Sequence, residues 1–403
     1  MAAYMSTEYY IGLMSGTSMD GLDGIVIAVE HERPRVLATG QAAWPDDCAA
    51  ELHALCAPGS DELERMGRIN LSIARHEARL TGILLEQAGL TAADITAIGA
   101  HGQTVRHCPQ SGYSVQLGSG PLLAALSGID TVFDFRAADL AAGGQGAPLT
   151  PVFHQLVLAC PGTCRMVLNL GGIANLTILS AEGDITAGYD CGPANTLMDL
   201  ACRELFNLPY DRGGELAARG RVDAALLAQL FERYHDFLSR PPPKSTGREL
   251  FSRSSIAGEL DRCRSGNCSG HDLLATLTAL TAQACARDIC SCIERMRPQR
   301  CEVVLCGGGA HNPCLSSQLR QMLEAHSCPV INSTELGVDA DYLEAEAFAY
   351  FAYLFCHGRP CDLRAITGAA ESSIMGCLAP ARDGFHARSQ QQRQLQAQRV
   401  RQE

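Results

Sequence analysis

The sequence predicts an α/β protein built from two similar domains. Its 403 residues exceed what one hydrophobic core usually supports, so two domains are expected. A strand, a glycine turn and a second strand occur twice, at residues 10–28 and again at 166–180. This short internal repeat indicates two related halves. Ligands of such folds are expected in the crevice between the domains, near the glycine turns.

The elements of the first half alternate between strands and helices. Strands are predicted at YYIGLM and at its hairpin partner GIVIAVEH, because both are rich in β-branched or aromatic residues. Apolar residues at helical spacing predict one long helix that ends near Gly89. A buried strand at ITAIGAHG is predicted to run into a glycine turn. A further strand, a helix with Pro121 at its first position, and the strand DTVFDF follow.

The second half repeats this pattern and sets the predicted domain boundaries. Strands are predicted at RMVLNL, ANLTILS, DITAGYD and CEVVLC, and a last core helix at DADYLEAEAFAYFAYLF. We assign residues 1–140, with a C-terminal helix at about 360–385, to the first domain and residues 141–359 to the second. The Gln- and Arg-rich tail 386–403 is expected to be disordered.

Composition and charge exclude several classes of protein. The net charge of −12 argues against nucleic acid or an anionic membrane as partner, because both need clustered Lys and Arg. We find no secretory signal and no apolar run of membrane-spanning length. The 19 cysteines form no C-x-x-C pair. We expect reduced, mostly buried thiols in a cytoplasmic protein.

The first glycine turn, GLMSGTSMDGLD at 12–23, indicates an anion site. Its backbone amides and the hydroxyls of Ser15, Thr17 and Ser18 can face phosphate oxygens. It differs from a Walker A loop because no G-K-[ST] follows and no helix begins there. The alternative is a plain hairpin turn, which needs fewer such residues.

Two further stretches could carry chemistry in the second half. VVLCGGGAHNP, at 303–313, is a buried strand that ends in three glycines, which suits either a nucleotide or a tight strand–helix connection. AGYDCGPAN, at 187–195, places Asp190 at the mouth of a turn after a strand. An acid there can be a general base. The commoner use of Asp beside Gly-Pro is an Asx-turn or a helix cap.

Polar residues in three other stretches suit a sugar or an anion. His101, Gln103 and Thr104 follow a buried strand and supply donors and acceptors for a polyhydroxylated ligand. Arg136 belongs to the acid-rich stretch 134–154, which could hold sugar hydroxyls or form a solvated loop. PKSTGRELF, at 243–251, brings Lys244 and Arg248, which form either a second anion contact or a surface loop.

These motifs together resemble one family. GLMSGTSMDGLD, AHGQT, DFRAADLAAGGQGAPLTPVFH, LNLGGIANLT, YDCGPANTLMD, PKSTGRE and LCGGGAHNP occur in the order found in bacterial anhydro-N-acetylmuramic acid kinases. The resemblance implies two ribonuclease-H-like domains with a central interdomain cleft, as in the actin, sugar kinase and Hsp70-like superfamily. It implies that water opens the 1,6-anhydro bridge of the sugar and that the 6-oxygen takes the γ-phosphoryl of ATP. The family works in recycling of cell-wall sugars.

The resemblance also implies roles for particular residues. Asp190 would be the catalytic base. The nucleotide would contact the first turn, the second turn and the glycine cluster, namely Gly12, Ser15, Gly16, Thr17, Ser18, Asp20, Gly171, Gly172, Gly307, Gly308 and Gly309. Glu344 would lie near the sugar with His101, Gln103, Thr104 and Arg136, although Glu346 is two residues away and either acid could be a helix-face charge.

Two positions depart from the wider pattern. Superfamily relatives often carry a magnesium-binding Asp just before the first glycine turn, where this chain has Leu13 and Met14. Asp20 could hold Mg²⁺ instead. Ala194 stands where Gly is frequent, and its methyl group matters only if that backbone needs a positive φ.

Two other functions remain open at this point. One is an ordinary sugar kinase, in which Asp190 would deprotonate a substrate hydroxyl. The other is a non-catalytic ATP-binding sensor or chaperone-like module. The resemblance is also compatible with a homodimer, which the sequence itself does not show.

Overall fold

The computed structural model describes residues 7–16, 19, 21–246 and 250–381, and these divide into two compact units. Unit 1 comprises the described residues up to Ala142, then Glu344–Cys361 and those from Ser372 onward. Unit 2 comprises Gly143–Leu343 and Asp362–Glu371.

Twelve strands and thirteen α-helices are found in the described part of the chain. The strands are β1 (Glu8–Ser15), β2 (Gly21–Glu30), β3 (Arg33–Ala43), β4 (Ile95–Cys108), β5 (Tyr113–Leu117), β6 (Thr131–Phe133), β7 (Cys164–Leu170), β8 (Ala174–Leu179), β9 (Ile185–Gly192), β10 (Cys301–Cys306), β11 (Val330–Asn332) and β12 (Cys377–Ala379). The helices are α1 (Asp46–Leu55), α2 (Glu62–Ala88), α3 (Gly120–Ser127), α4 (Ala137–Ala141), α5 (Pro151–Leu158), α6 (Thr196–Phe206), α7 (Ala224–Arg233), α8 (His235–Leu238), α9 (Ala257–Arg264), α10 (Gly270–Met296), α11 (Pro313–Leu323), α12 (Leu343–Cys356) and α13 (Arg364–Thr367).

The sheets of the two units share one topology. In unit 1 the order is β12-β6-β4-β1-β2-β3, with β5 paired to β4. In unit 2 it is β11-β10-β7-β8-β9. In each sheet the first three strands form an antiparallel meander, and two later strands lie parallel on the other side of the first. This is the strand order of a ribonuclease-H-like domain, so the predicted α/β fold with two such domains is confirmed.

The core of unit 1 lies between its sheet and helix α2. This helix buries Ile69, Ile73, Leu80 and Leu84 on one face, as its sequence period predicts. It ends at Gly89, whose φ of +66° is the left-handed conformation that commonly terminates helices. The predicted long helix is thus confirmed.

The C-terminal part corrects the predicted domain boundaries. Residues 344–361, which carry most of α12, belong to unit 1 and not to the second domain. No long helix spans 360–385 in its described part, where α13 has four residues and Cys377–Ala379 forms strand β12. That strand pairs with β6, so a contact distant in sequence overrides the local pattern.

Strand β4 is longer than the sequence predicts. The expected glycine turn after ITAIGAHG is a bend inside the strand, because Gly102 takes a φ of +71° and the strand continues at Gln103, where its pairing with β5 begins. His101, Gln103 and Thr104 therefore lie on a strand of the sheet and not on a loop.

Two features of the composition are also visible in the structure. All 19 cysteines lie in the described part and none is in a disulfide, and only Cys356 and Cys377 are exposed. Within the described residues, no helix has the length and apolar character needed to cross a membrane.

Candidate functional site

The two glycine turns of unit 2 meet at Leu170. Parallel strands β7 and β10 end side by side, at Leu170 and Cys306. Gly307 follows with a φ of +75°, and a Cβ there would lie 2.9 Å from the carbonyl carbon of Leu170. A Cβ at Gly309 would lie 2.6 Å from the Cβ of Leu170. Both positions therefore require glycine for this close approach.

The turn after β7 is joined to the start of helix α6. The Gly171 carbonyl accepts from the Asn195 amide at 3.1 Å, and the Gly172 carbonyl accepts from the Thr196 hydroxyl at 2.6 Å. Asn195 occupies the N-cap position of α6, but its side-chain amide donates to the Leu170 carbonyl at 2.9 Å and does not cap the helix.

Gly308 and Gly171 leave space in front of the backbone. A Cβ at Gly308 would have no neighbour within 4 Å among the described atoms, and one at Gly171 would meet only the Ile173 carbonyl, at 3.9 Å. Gly308 also begins a short 3₁₀ helix, Gly308–His311, whose first amides have no partner within that helix. The paired turns thus offer an accessible backbone surface for a ligand.

Asp190 is held at both its backbone and its carboxylate. It lies inside strand β9, two residues before the end of the strand, and is half-buried. Its backbone amide donates to the Lys244 carbonyl at 3.0 Å, and the Thr246 amide donates to its Oδ2 at 2.8 Å. A remote segment therefore orients this carboxylate, which is a different arrangement from the local Asx-turn or helix cap considered above.

Lys244 forms a buried ion pair. Its Nζ lies 3.0 Å from Oδ2 of Asp288 on α10 and donates to the Leu238 carbonyl at 3.3 Å. Burial raises the pKa of Asp288, and the nearby Lys244 opposes that rise. Lys244 is therefore part of the interior, and both predicted uses of this residue, anion contact and surface loop, are corrected. Arg248 lies outside the described residues.

Asp288 was not predicted from the sequence. A signal was present, because Asp288 follows Cys285 by three positions and precedes Cys292 by four, which places it on the buried side of α10. An acid on such a face needs a buried partner.

In unit 1, Ser15 and Gln103 bind each other in the interior. The Ser15 hydroxyl lies 2.5 Å from Oε1 of Gln103 and 2.7 Å from the Gly21 carbonyl, and it accepts from Nε1 of Trp44 at 3.2 Å. Nε2 of Gln103 donates to the Gly16 carbonyl at 3.1 Å. These side chains join the two ends of the first glycine turn. The other predicted turn residues, Thr17, Ser18 and Asp20, lie outside the described residues.

His101 is a neutral imidazole fixed by two partners. Its Nδ1 donates to the Gly102 carbonyl at 2.7 Å, so its Nε2 accepts from Arg136, at 2.9 Å. Burial, aided by the Arg136 guanidinium, lowers the pKa of His101 to about 3. Arg136 precedes helix α4. Thr104 accepts from Nε2 of Gln116 at 3.0 Å.

Gly12 and Glu344 are associated with the same helix. A Cβ at Gly12 would clash with the Ala345 carbonyl oxygen and lie 2.7 Å from the Ala349 amide, so α12 packs directly on β1. Glu344 is half-buried in the first turn of α12, whereas Glu346 is buried. The packing of α12 accounts for the glycine at position 12 without a ligand.

The described residues contain no group of three or more His, Cys, Asp or Glu side chains arranged to hold a metal ion.

Comparisons with known proteins place these observations in context. The profile of the family described as anhydro-N-acetylmuramic acid kinase matches residues 8–381. A relative of that name from Nitrosospira multiformis is 43% identical over 379 residues, covering 94% of this chain and 100% of the relative. One from Burkholderia vietnamiensis is 45% identical, covering 94% of this chain and 98% of the relative. A solved structure, the activator of the 2-hydroxyisocaproyl-CoA dehydratase from Clostridium difficile with bound ADPNP, has a TM-score of 0.46 and 14% identity, covering 86% of this chain and 94% of that one.

Proposed function

The chain belongs to the anhydro-N-acetylmuramic acid kinase family, and we propose that it converts 1,6-anhydro-N-acetylmuramic acid, ATP and water into N-acetylmuramic acid 6-phosphate and ADP. Identity of 43% over 94% of the chain, with the whole of the relative covered, carries this proposal. The reaction would serve the recycling of cell-wall sugars. A homodimer in the cytoplasm is part of the proposal and rests on the family resemblance.

Asp190 is the proposed base for the ring opening. Its carboxylate takes a proton from the attacking water as the water oxygen bonds to the anomeric carbon. The bond between that carbon and O6 breaks, O6 forms a bond to the γ-phosphorus, and ADP leaves. The Thr246 amide supports this role because it fixes the orientation of the carboxylate. A single carboxylate that activates water suits inversion at the anomeric carbon.

The glycine turns are the proposed phosphate contacts. Phosphoryl transfer depends mainly on positioning and on stabilising charge. Gly307 and Gly309 support this role because their backbone approaches Leu170 closely, and Gly171 and Gly308 support it because they leave space for a ligand. Gly172 belongs to the same turn as Gly171, and its carbonyl is bound by the Thr196 hydroxyl. Mg²⁺, as the proposed counter-ion of ATP, would neutralise phosphate charge and be held largely by phosphate oxygens and water.

The proposed sugar contacts lie in unit 1. The proposed sugar-binding residues are His101, Thr104, Arg136 and Glu344. Among them, Arg136 supplies a cation suited to the carboxylate of the sugar. Gln103 is proposed to act indirectly, because it is fully buried and its amide holds the first glycine turn.

The deciding assay uses ¹⁸O-labelled water with ATP, Mg²⁺ and the anhydro sugar, analysed early by mass spectrometry. We expect a phosphorylated product that carries the label at its anomeric oxygen. Failure with this sugar, together with ADP formation from a free sugar, would favour the ordinary sugar kinase instead.

Asp190→Asn tests the role of the base in the same assay. We expect turnover to fall by about 10³-fold, with ATP affinity unchanged in calorimetry. Asp199→Asn, on helix α6, is the matched control and should retain activity. Turnover by Asp190→Asn close to that of the parent protein would reject Asp190 as the base.

A further inference from the structure

Unit 1 contains a pocket of about 410 Å³ between helix α2, strands β4 and β5, and helix α3. This volume lies in the range of roughly 300–1,000 Å³ typical of small-molecule sites. His101, one of the proposed sugar contacts, lines it together with Glu77, Gln116 and Ser119. The pocket therefore adjoins one of the sugar contacts already proposed in this unit.

Glu77 is an unusual lining residue. It lies on α2, is 1% exposed, and neither of its carboxyl oxygens has a hydrogen-bond partner among the described residues. Burying a polar group without a partner costs free energy. Because the chain itself does not satisfy this carboxyl, a ligand in the pocket is its natural partner.

Glycines keep the wall opposite Glu77 free of side chains. Gly118 has a φ of +140°, and a Cβ there would lie 3.5 Å from Oε1 of Glu77. A Cβ at Gly120 would clash with the Phe133 ring. The Gly118 amide is held by Oδ1 of Asn70 at 2.8 Å, which fixes this wall in place.

The polar groups of the pocket favour a neutral ligand that donates hydrogen bonds. Nε2 of Gln116 donates to Thr104 and Ser114, while its buried Oε1 has no partner among the described residues. Burial raises the pKa of Glu77 to about 8, so this side chain is largely uncharged at neutral pH. Burial also raises the pKa of Asp134, which lines the same pocket. An amide N–H or a hydroxyl fits such a lining, whereas a carboxylate would meet two acids.

We propose that Glu77 is a specificity-determining residue and that its pocket takes the acetamido group of the amino sugar. The acetamido N–H would donate to Glu77, and the free 4-hydroxyl of the sugar would donate to Gln116. This inference rests on the proposed function. It assigns the neutral side of the sugar to the Glu77 pocket and its carboxylate to Arg136.

The test combines a protein change with a ligand change. KM is measured for the parent protein and for Glu77→Leu, with the anhydro amino sugar and with its analogue that carries hydrogen in place of the acetamido group. Each change alone should raise KM about ten-fold, the effect of one lost hydrogen bond. Both together should raise it no further, because they remove the same contact. The KM for ATP should not change.

A stability measurement separates this role from damage to the fold. Glu77→Leu replaces a buried, unpartnered carboxyl with an apolar group and should raise Tm. Glu86→Leu, on the exposed side of the same helix, is the control and should leave the sugar KM unchanged. If Glu77→Leu does not fold, Glu77→Met carries the same test.

The outcomes separate the two proposals. Turnover by the parent protein with an unchanged KM in Glu77→Leu overturns the inference and leaves the proposed function standing. If Glu77→Leu assayed with the analogue shows a KM increase equal to the product of the two separate increases, the inference is also overturned. Absence of turnover by the parent protein rejects the proposed function and this inference with it.

Discussion

The ammonium group of Lys244 lies 3.0 Å from the carboxylate of Asp288, while the backbone carbonyl of the same lysine accepts the amide of Asp190. The two bonds link helix α10 to the strand that carries the proposed base. Ser245 adds a second anchor, because its hydroxyl donates to Oε1 of Gln145 at 2.7 Å. The position of Asp190 thus depends on a charge pair in the interior of unit 2.

Lys244→Met should therefore affect both stability and catalysis. Removing the ammonium leaves the Asp288 carboxylate buried without its counter-charge, which should lower the free energy of unfolding by about 3 kcal/mol. We also expect kcat to fall while the KM for ATP changes little, because the segment that orients Asp190 loses its anchor. Denaturant unfolding and steady-state kinetics measure the two effects.

The double variant Lys244→Met with Asp288→Leu separates stability from positioning. Replacing both charges with apolar groups should recover most of the lost stability. A kcat that stays low in this stable protein supports positioning by the ion pair. Full recovery of kcat would show that Lys244 acts only through stability.

Gly12→Ala tests whether this glycine serves packing or phosphate binding. The added Cβ would clash with the backbone of α12, so we expect a loss of about 3 kcal/mol or more in the free energy of unfolding. Gly67→Ala, in helix α2 with open space around its Cβ, is the control and should stabilise by up to about 1 kcal/mol. An unchanged Tm with a raised KM for ATP would restore the phosphate role of Gly12.

The sequence predicted the repeated strand hairpins and the long helix because their signals are local. Short apolar segments rich in β-branched or aromatic residues, joined by glycine turns, mark β1–β2 and β7–β8, and a 3.6-residue period marks α2. The bend at Gly102 was mistaken for a turn, since glycine permits a positive φ in either setting. Strand β12 was missed because its three residues are defined by pairing with β6, far away in sequence.

The candidate site was predictable where a motif carried it. The glycine turns and Asp190 were found in this way, and the structure brings Gly171, Gly172 and Gly307–Gly309 together at Leu170. Buried acidic residues that belong to no motif were not predicted. Glu77 resembles an ordinary helix charge in the sequence, and only the packing of the chain reveals its burial. Asp288 was missed although its spacing from Cys285 and Cys292 places it on the buried side of α10.

Ala194 meets the condition under which its methyl group matters, because its φ is +39°. A left-handed residue other than glycine costs about 1–2 kcal/mol. Ala194→Gly relieves this strain but loses a buried methyl group and adds chain entropy, so we expect a net change within about 1 kcal/mol. Ala201 is buried in helix α6 and has no such backbone strain to relieve. Ala201→Gly should therefore lower the free energy of unfolding by about 2 kcal/mol. Equal losses in denaturant unfolding would contradict strain at Ala194.

His154 should make the protein less stable in acid. It is fully buried, its Nδ1 lies 2.8 Å from the Thr177 hydroxyl, and burial lowers its pKa to about 3. An unfolded histidine has a pKa of about 6.5. Between these values the unfolded chain binds a proton that the native protein does not. The full stability is therefore reached above about pH 6.5, and the free energy of unfolding decreases as the pH falls below this value.

His154 should change the free energy of unfolding by about 1.4 kcal/mol per pH unit in this range. His101, whose pKa is also lowered, adds a loss of stability in the same direction. His154→Gln should flatten the dependence by that amount when unfolding free energies are compared at pH 6 and pH 5. The same substitution at the exposed His235 controls for the loss of an imidazole. An unchanged slope in His154→Gln would show that His154 takes up its proton without unfolding, which its complete burial argues against.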